Sequence, residues 1–304
     1  MTGAAGFIGS ELVKILVARR HRVFCLTESP EAAARVRRCG GVAVMGDLRE
    51  PGSWQDEAGA DWVFHFPQHA MPGARLTTRY GESTIRAQVR MDTHLLDAVA
   101  GGRTRRIVYV ADTSCYGATG SQPPITEDTP PQPSVWGRWI APALERLDGY
   151  IVAGEPIVAA FPGWVYGNGG WFREHVIKPV MARRRVLLFG KTGPWVSPIH
   201  VDDCVRALVH LAQHGEAGGR YFLVNRDAIR LHEFAGTFAH FAGRPLRVFR
   251  VPTYAARLIA GSALADYLQS DAVFSNIRLR GSGFRFRYPT LDAGVEQIVA
   301  VLHE

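Results

Sequence analysis

Three glycines at the head of the chain constrain it most. Gly3, Gly6 and Gly9 recur every third residue in Thr2-Gly3-Ala4-Ala5-Gly6-Phe7-Ile8-Gly9-Ser10. Leu12, Ile15 and Leu16 follow at the i, i+3, i+4 spacing of a helix face, and Arg22 to Leu26 is a short apolar run rich in strand formers. A glycine turn that opens a helix and is followed by a strand lets backbone approach a pyrophosphate closely. It also aims a helix N-terminus at that anion.

The alternation continues beyond that point. Strands are expected at 41–45, 61–66, 106–110 and 156–161, with helices at 86–98 and 136–147. Such alternation implies a doubly wound parallel sheet, with ligands outside the carboxyl ends of its strands. The Pro-, Thr- and Ser-rich stretch 120–133 reads as a surface loop. Shorter elements follow, including a helix over 201–214, a strand at 221–224 and a helix from Leu231. No repeat or linker intervenes, so a dinucleotide-binding core over 1–165 and a substrate lobe over 166–304 are expected to interleave.

Composition narrows the function classes. Of 35 basic residues only three are Lys, and the net charge of +7 is carried by short Arg clusters without interleaved aromatics. Nucleic acid is therefore not an expected partner. No apolar run reaches membrane-spanning length and no secretory leader is visible, so no membrane partner is expected either. Cys25, Cys39, Cys115 and Cys204 lack metal-ligand spacing, which fits a reduced, cytoplasmic protein. His65, His69 and His94 have no carboxylate or Cys at ligand spacing beside the first two, so no metal is expected.

Several segments, taken together, resemble the extended short-chain dehydrogenase/reductase superfamily of the NAD-dependent epimerase/dehydratase type. They are Thr2 to Gly9, Gly46-Asp47-Leu48, Val63-Phe64-His65, Val108 through Tyr116-Gly117, Pro162 to Gly167, His200-Val201-Asp202-Asp203, and Gly283-Phe284 to Leu291. The resemblance implies an α/β Rossmann-like fold with a smaller C-terminal substrate lobe. It implies a first strand before Thr2, where only Met1 stands, so that strand reads as truncated. A missing central strand would leave a hole and two open strand edges. The simplest reading is a start codon placed too late, or a trimmed chain.

By the same resemblance, Gly3, Gly6, Phe7, Ile8, Gly9, Asp47, Leu48 and Phe66 would line a dinucleotide. The carboxylate position that meets the ribose falls on Thr27, with Glu28 beside it. No Arg occupies either position, which favours NAD over NADP. Pro67 and Gln68 replace the usual Ala-Ala and put tight binding in doubt, so the cofactor is expected to be catalytic, structural or lost.

The catalytic positions depart from the family. Its Ser/Thr position is Asp112, and its Tyr-x-x-x-Lys matches Trp136-Gly137-Arg138-Trp139-Ile140. The residues four before Lys14, Lys178 and Lys191 are Ser10, Glu174 and Leu187, so the chain holds no Tyr-x-x-x-Lys anywhere. Neither Trp nor Ile can do the proton transfer of that pair.

Asp112 is then the candidate acid or base, against its reading as a turn cap. Tyr116, Arg138 and loop-borne His69 are candidate proton donors or orienting groups. The plainer alternatives are packing for Tyr116 and a solvated face for Arg138, and His65 reads as structural. Trp136, Trp139, Trp164 and Tyr166 are candidates for an apolar pocket wall, against ordinary core packing.

The expected function is non-redox proton transfer on a small organic molecule, by cyclisation, isomerisation or elimination, in a natural-product setting. An oxidoreductase or epimerase with a relocated proton donor, and a non-catalytic dinucleotide-binding protein, are the alternatives. A homodimer is left open.

Overall fold

The computed structural model describes residues 1–66, 78–117, 120–133, 137–190, 193–225, 227–252, 254–255, 258 and 271–303, with backbone alone at 78–79 and 120–123. Strands and helices alternate through the first half: α1 (Phe7–Ala18), β1 (Phe24–Thr27), α2 (Pro30–Arg38), β2 (Val42–Met45), β3 (Trp62–His65), α3 (Thr78–Val99), β4 (Arg106–Val110), β5 (Gly120–Ile125), α4 (Ala141–Val152), β6 (Ile157–Pro162) and β7 (Trp164–Tyr166). Four later strands bear on the architecture: β8 (Val186–Phe189), β9 (Trp195–Val196), β10 (Pro198–His200) and β11 (Arg220–Leu223).

The central sheet is parallel, in the order β11-β6-β4-β3. Helices cover both faces of such a sheet, so its inner strands are apolar throughout. Accordingly Ile157 to Phe161 of β6 are all buried. The strand β11 comes from the C-terminal half, and the helix Val201–His214 shares a core with α1. The central sheet and this core therefore draw on both halves of the chain.

β1 and β2 form a separate parallel pair, with Thr27 opposite Met45. Among the described residues, only Met1 and Thr2 stand between β1 and β3. The Leu26 N–H donates to the Met1 carbonyl at 3.0 Å, and the Thr2 N–H donates to the Phe64 carbonyl at 3.0 Å. Each of the two strands has a ladder on its far side alone. The hole expected from the sequence is present as a cleft of about 580 Å³. Met1, Phe24, Val44, Trp54, Trp62 and Phe64 line it, with Arg103 and Arg105 at its mouth. Those arginines precede β4, so the cleft opens at the amino ends of the strands, opposite the edge where such sheets hold ligands.

Two expected elements differ. The Pro-rich stretch is not all loop, because Gly120–Ile125 pairs in parallel with Ala272–Phe274. A two-strand ribbon has free edges, and an edge tolerates Pro123 and Pro124 without loss of a ladder bond. The helix expected at 136–147 begins at Ala141 instead, with Pro142 in its first turn. Proline suits that position because its missing N–H has no intrahelical partner there. Gly137–Trp139 forms a separate 3-10 turn.

Candidate active site

The glycine loop is shaped by what a side chain would strike. Gly3 has φ +64, and a Cβ there would lie 2.7 Å from the Phe66 Cβ. A Cβ on Gly9 would lie 2.2 Å from the Gly3 carbonyl oxygen. Gly6 is different: it is exposed, it caps α1 in extended conformation, and its nearest obstacle is 3.3 Å away. No side chain caps this helix. The first-turn N–H groups of Phe7, Ile8 and Gly9 have no intrahelical acceptor and are available to an anion. An uncapped 12-residue helix behind a glycine cradle fits the pyrophosphate of a dinucleotide. The Phe7 ring itself packs on Gly169 and Gly170 and braces the loop from the other side.

A buried network supports this loop from behind. The Phe66 N–H donates to Thr2 Oγ1 at 3.0 Å, and Thr2 Oγ1 lies 2.8 Å from His65 Nδ1. His65 Nε2 lies 2.9 Å from Asp92 Oδ1. Tyr109 donates to Asp92 Oδ2 at 2.9 Å, and Gln88 Nε2 donates to the Tyr109 oxygen at 3.2 Å. One proton assignment satisfies the chain: Thr2 donates to Nδ1, and Nε2–H donates to the carboxylate. His65 is fully buried, as is Tyr109, whose hydroxyl is pushed well above its ordinary pKa by burial and by the Asp92 charge. His65 is thus a structural residue. Asp92 and Tyr109 are not marked by any local motif, and only their arrival beside His65 gives them this role.

At the carboxyl ends of β1 and β2 the candidates separate. Thr27 is buried and its hydroxyl donates to the Val44 carbonyl at 3.3 Å, so its side chain is spent inside the strand pair. Glu28 is the exposed carboxylate at that corner. Asp47 is held by Arg49, whose Nε and Nη2 donate to its two oxygens at 2.9 and 2.8 Å. That bond holds the Asp47 carboxyl below its ordinary pKa. Arg49 itself escaped the sequence reading, although it stands only two residues past Asp47. Leu48 packs inward and its carbonyl lies 3.0 Å from His94 Nδ1.

The end of β4 delivers Asp112. Its Oδ1 accepts the Ser114 N–H at 2.8 Å and caps the turn Thr113–Tyr116. One oxygen is therefore anchored, the residue is half-buried, and Oδ2 has no hydrogen bond among the described residues. Gly137 packs against this turn, and a Cβ there would lie 2.2 Å from the Ser114 carbonyl oxygen. Ile140, which the resemblance would place at the family's Lys position, is buried and uncharged.

Arg138 and Trp139 sit on the turn that packs against Thr113–Tyr116, whereas the candidate tyrosines lie in the core. Tyr116 is only 1% exposed, and its ring stands edge-on to Phe161 and Phe222, which removes it from any proton transfer to a ligand. Tyr166 is fully buried between Phe172, His200 and Phe234, so it belongs to a hydrophobic core rather than to a pocket wall. Arg138 is exposed on the 3-10 turn and not on a helix face, because α4 starts later than expected. The Trp139 ring lies over Gly81 of α3, where a Cβ would fall 2.0 Å from it. Trp164 is half-buried against Trp171, with ring centroids 4.8 Å apart. His69 and Trp136 lie outside the described residues. Among the described residues there is no cluster of three metal-ligating side chains, and no helix is long and apolar enough to cross a membrane.

Residues 1–225 match the model of the NAD dependent epimerase/dehydratase family, and the chain belongs to that family. It is 26% identical over 287 residues to 4-hydroxy-2-methyl-3-oxo-4-farnesyl-3,4-dihydroquinoline-1-oxide ketoreductase of Stigmatella aurantiaca, covering 92% of this chain and 84% of that one. It is 24% identical over 305 residues to an epimerase family protein of Staphylococcus saprophyticus, covering 98% of each. Among solved structures, human epimerase family protein SDR39U1 with NADPH superposes with a TM-score of 0.81 at 19% identity, over 98% of both chains. The dTDP-glucose 4,6-dehydratase DesIV of Streptomyces venezuelae with NAD superposes with a TM-score of 0.82 at 20% identity, over 99% of this chain and 95% of that one. These likenesses confirm the α/β Rossmann-like fold.

Proposed function

We propose that the protein binds a nicotinamide dinucleotide along the glycine loop and performs proton transfer on a small organic carbonyl compound, with Asp112 as the acid or base. One observation carries this reading. The strand edge keeps an uncapped helix N-terminus behind a glycine cradle, yet the titratable side chain that β4 brings to the same edge is Asp112, and no Tyr-x-x-x-Lys exists in the chain.

Gly3, Gly6 and Gly9 with the N-terminus of α1 would hold the pyrophosphate, Glu28 the adenosine ribose, and Asp47 with Leu48 the adenine edge. A bound dinucleotide would supply a hydride donor or acceptor in an oxidoreductase of the family, a step the proposed reaction does not use. The chain's own groups supply the proton step. The Ser114 N–H holds Oδ1 of Asp112, so Oδ2 takes a proton from carbon beside the substrate carbonyl and returns it at a second position. The product is an isomer when the proton returns to carbon, an alkene and water when it goes to a β-hydroxyl that departs, or a ring-closed form when the carbanion adds to a second carbonyl of the same molecule and the proton goes to the new alkoxide, steps of the kind used in natural-product tailoring. The relatives favour a second reading, an oxidoreductase with a relocated proton donor, since one of them is a ketoreductase.

The test uses a panel of small carbonyl compounds with acidic α-hydrogens, incubated in D2O with the enzyme and dinucleotide. Deuterium uptake is followed by NMR and the reduced nicotinamide by absorbance. The proposal expects uptake without net change in absorbance. Stoichiometric consumption of reduced dinucleotide selects the oxidoreductase, and dinucleotide binding without change in any compound leaves a non-catalytic binding protein.

A further inference from the structure

Away from the dinucleotide edge, the second half of the chain carries a face that the proposed reaction does not use. We propose that the outer face of the ribbon built on β8 docks on the surface of an anionic lipid bilayer, its arginines at the phosphates and its apolar side chains among the acyl chains below them.

β8 pairs in parallel with the strand Val248–Val251, and Leu187 lies opposite Phe249. Successive residues of a strand point to opposite faces. Val186, Leu188 and Val248 pack on one face into the core that holds Phe234 and Phe238. Leu187 and Phe249 point the other way and are 54% and 48% exposed. Further along that outer face, Phe189 and Val251 pack with Ala255. The helical residues beside Ala255 include Tyr254 and Leu258, four apart, which are 71% and 75% exposed. Single exposed apolar side chains are ordinary, but four large ones in adjoining segments mark a contact surface.

Charge decides what this surface meets. Arg183, Arg184 and Arg185 lead into β8 and Arg247 into its partner strand, and all four are exposed. Arg247 donates to the Arg183 carbonyl at 3.4 Å, and the Arg185 guanidinium lies 6.0 Å from the centroid of the Phe249 ring. Cations and apolar groups therefore share one surface. No Asp or Glu occurs in 175–201 or in 234–252, so neither segment neutralises these arginines. A second copy would set the same arginines against each other, and like charges repel. An anionic bilayer offers what the face lacks. A guanidinium binds phosphate in a bidentate fork, and Leu, Phe and Tyr are favoured where headgroups give way to acyl chains. No described helix is long and apolar enough to cross a membrane, so the contact is peripheral. The shortness of the apolar runs, which argues against a span, does not bear on such a contact.

Co-sedimentation of the full chain with sucrose-loaded vesicles tests this, comparing phosphatidylcholine alone with an equal mixture of phosphatidylcholine and phosphatidylglycerol. The wild type should bind the anionic vesicles, spare the neutral ones, and come off as salt rises. Arg183→Gln, Arg184→Gln and Arg185→Gln together should weaken partition by about fivefold per arginine, roughly 100-fold in all. The same charge removed from α2 by Arg35→Gln, Arg37→Gln and Arg38→Gln should change it little, which separates this face from net charge. Leu187→Ser with Phe249→Ser, at unchanged charge, should weaken partition by about tenfold. Every substituted side chain is exposed, so thermal melts of all three variants should match the wild type. Equal binding to neutral vesicles, an equal loss in the α2 variant, or full binding by either ribbon variant overturns the proposal. So does a dimer in ultracentrifugation that the Ser pair dissolves, which would make a second copy the occupant. A wild type left in the supernatant of both vesicles also overturns it, and leaves the face to an acidic protein.

Discussion

The carboxyl edge of this sheet has two ends that differ in what they kept. At β1 and the glycine loop, every feature a dinucleotide needs is present: the cradle, the uncapped helix, an exposed carboxylate, and a buried network holding Phe66 and Thr2 in place. At β4 the scaffold is equally well built, since Gly137 still packs tightly on the Ser114 turn. In the proposed reading the difference lies in the side chains that do the chemistry, with Asp112 in place of a hydroxyl and Trp136 and Ile140 in place of the Tyr and Lys. Binding and chemistry on one fold are thus separable, because the first rests on backbone geometry and the second on a few side-chain termini.

The sharpest way to break that contrast is at Asp112. Asp112→Asn preserves the cap on Ser114 but removes the titratable oxygen, so deuterium exchange should fall by about 10²–10⁴-fold with substrate affinity little changed. Asp112→Ser is the control, since it restores the family residue and should be equally inactive. An Asn variant with most of its exchange rate and an unaltered pH profile would leave Asp112 as a turn cap.

The binding end is tested at Gly6. Because Gly6 is exposed and a Cβ there would meet only the Gly3 carbonyl, at 3.3 Å, Gly6→Val should fold with a small local shift yet fill the cradle, weakening dinucleotide binding by about 100-fold, some 3 kcal/mol. Calorimetry beside a thermal melt separates the two effects. Normal binding would place the cofactor elsewhere.

The support behind the loop is next. Asp92→Ala strands the Tyr109 hydroxyl and His65 Nε2–H in a buried site, at a cost of about 3 kcal/mol in denaturant unfolding. A loss below about 1 kcal/mol would mean that the network does not brace the loop.

The helix Val201–His214 gives a pH test. His200 caps the helix Val201–His214 by accepting the Asp202 N–H on Nδ1, and burial lowers its pKa from 6.5 to about 4. The unfolded chain therefore takes up a proton that the folded chain refuses between those values. Stability from this group is complete above pH 6.5 and declines as pH falls toward 4, by about 3 kcal/mol at ~1.4 kcal/mol per pH unit. Unfolding free energies of the wild type and His200→Asn over that window check it, the variant losing this contribution to the slope.

The smallest effect expected is none at all. Trp136→Tyr with Ile140→Lys should not raise the native rate, because Ile140 points into the core and a Lys there would not reach a ligand. A gain would mark a decayed oxidoreductase instead.

How far the sequence carries the reading depends on the range of the interaction involved. The glycine loop, β1 to β4, β6 and the N-terminal hole are local patterns, and all were legible. Arg49 was overlooked because its reach to Glu28 crosses from β2 to β1. Asp92 and Tyr109 meet His65 only after α3 and β4 have packed. Tyr116 and Tyr166 carry the same hydroxyl as a catalytic tyrosine, and only burial shows that both belong to the core. The start of α4 was misplaced by five residues because Pro142 was not weighed as a first-turn residue.

The central claim is that this edge binds a dinucleotide but moves protons without hydride. Stopped-flow absorbance of the enzyme with oxidised dinucleotide, mixed with a compound shown to exchange deuterium, tests it most directly. The account predicts a flat trace at the reduced-nicotinamide band while exchange proceeds. A transient that rises and decays at the rate of turnover would show hydride leaving and returning, and would contradict it.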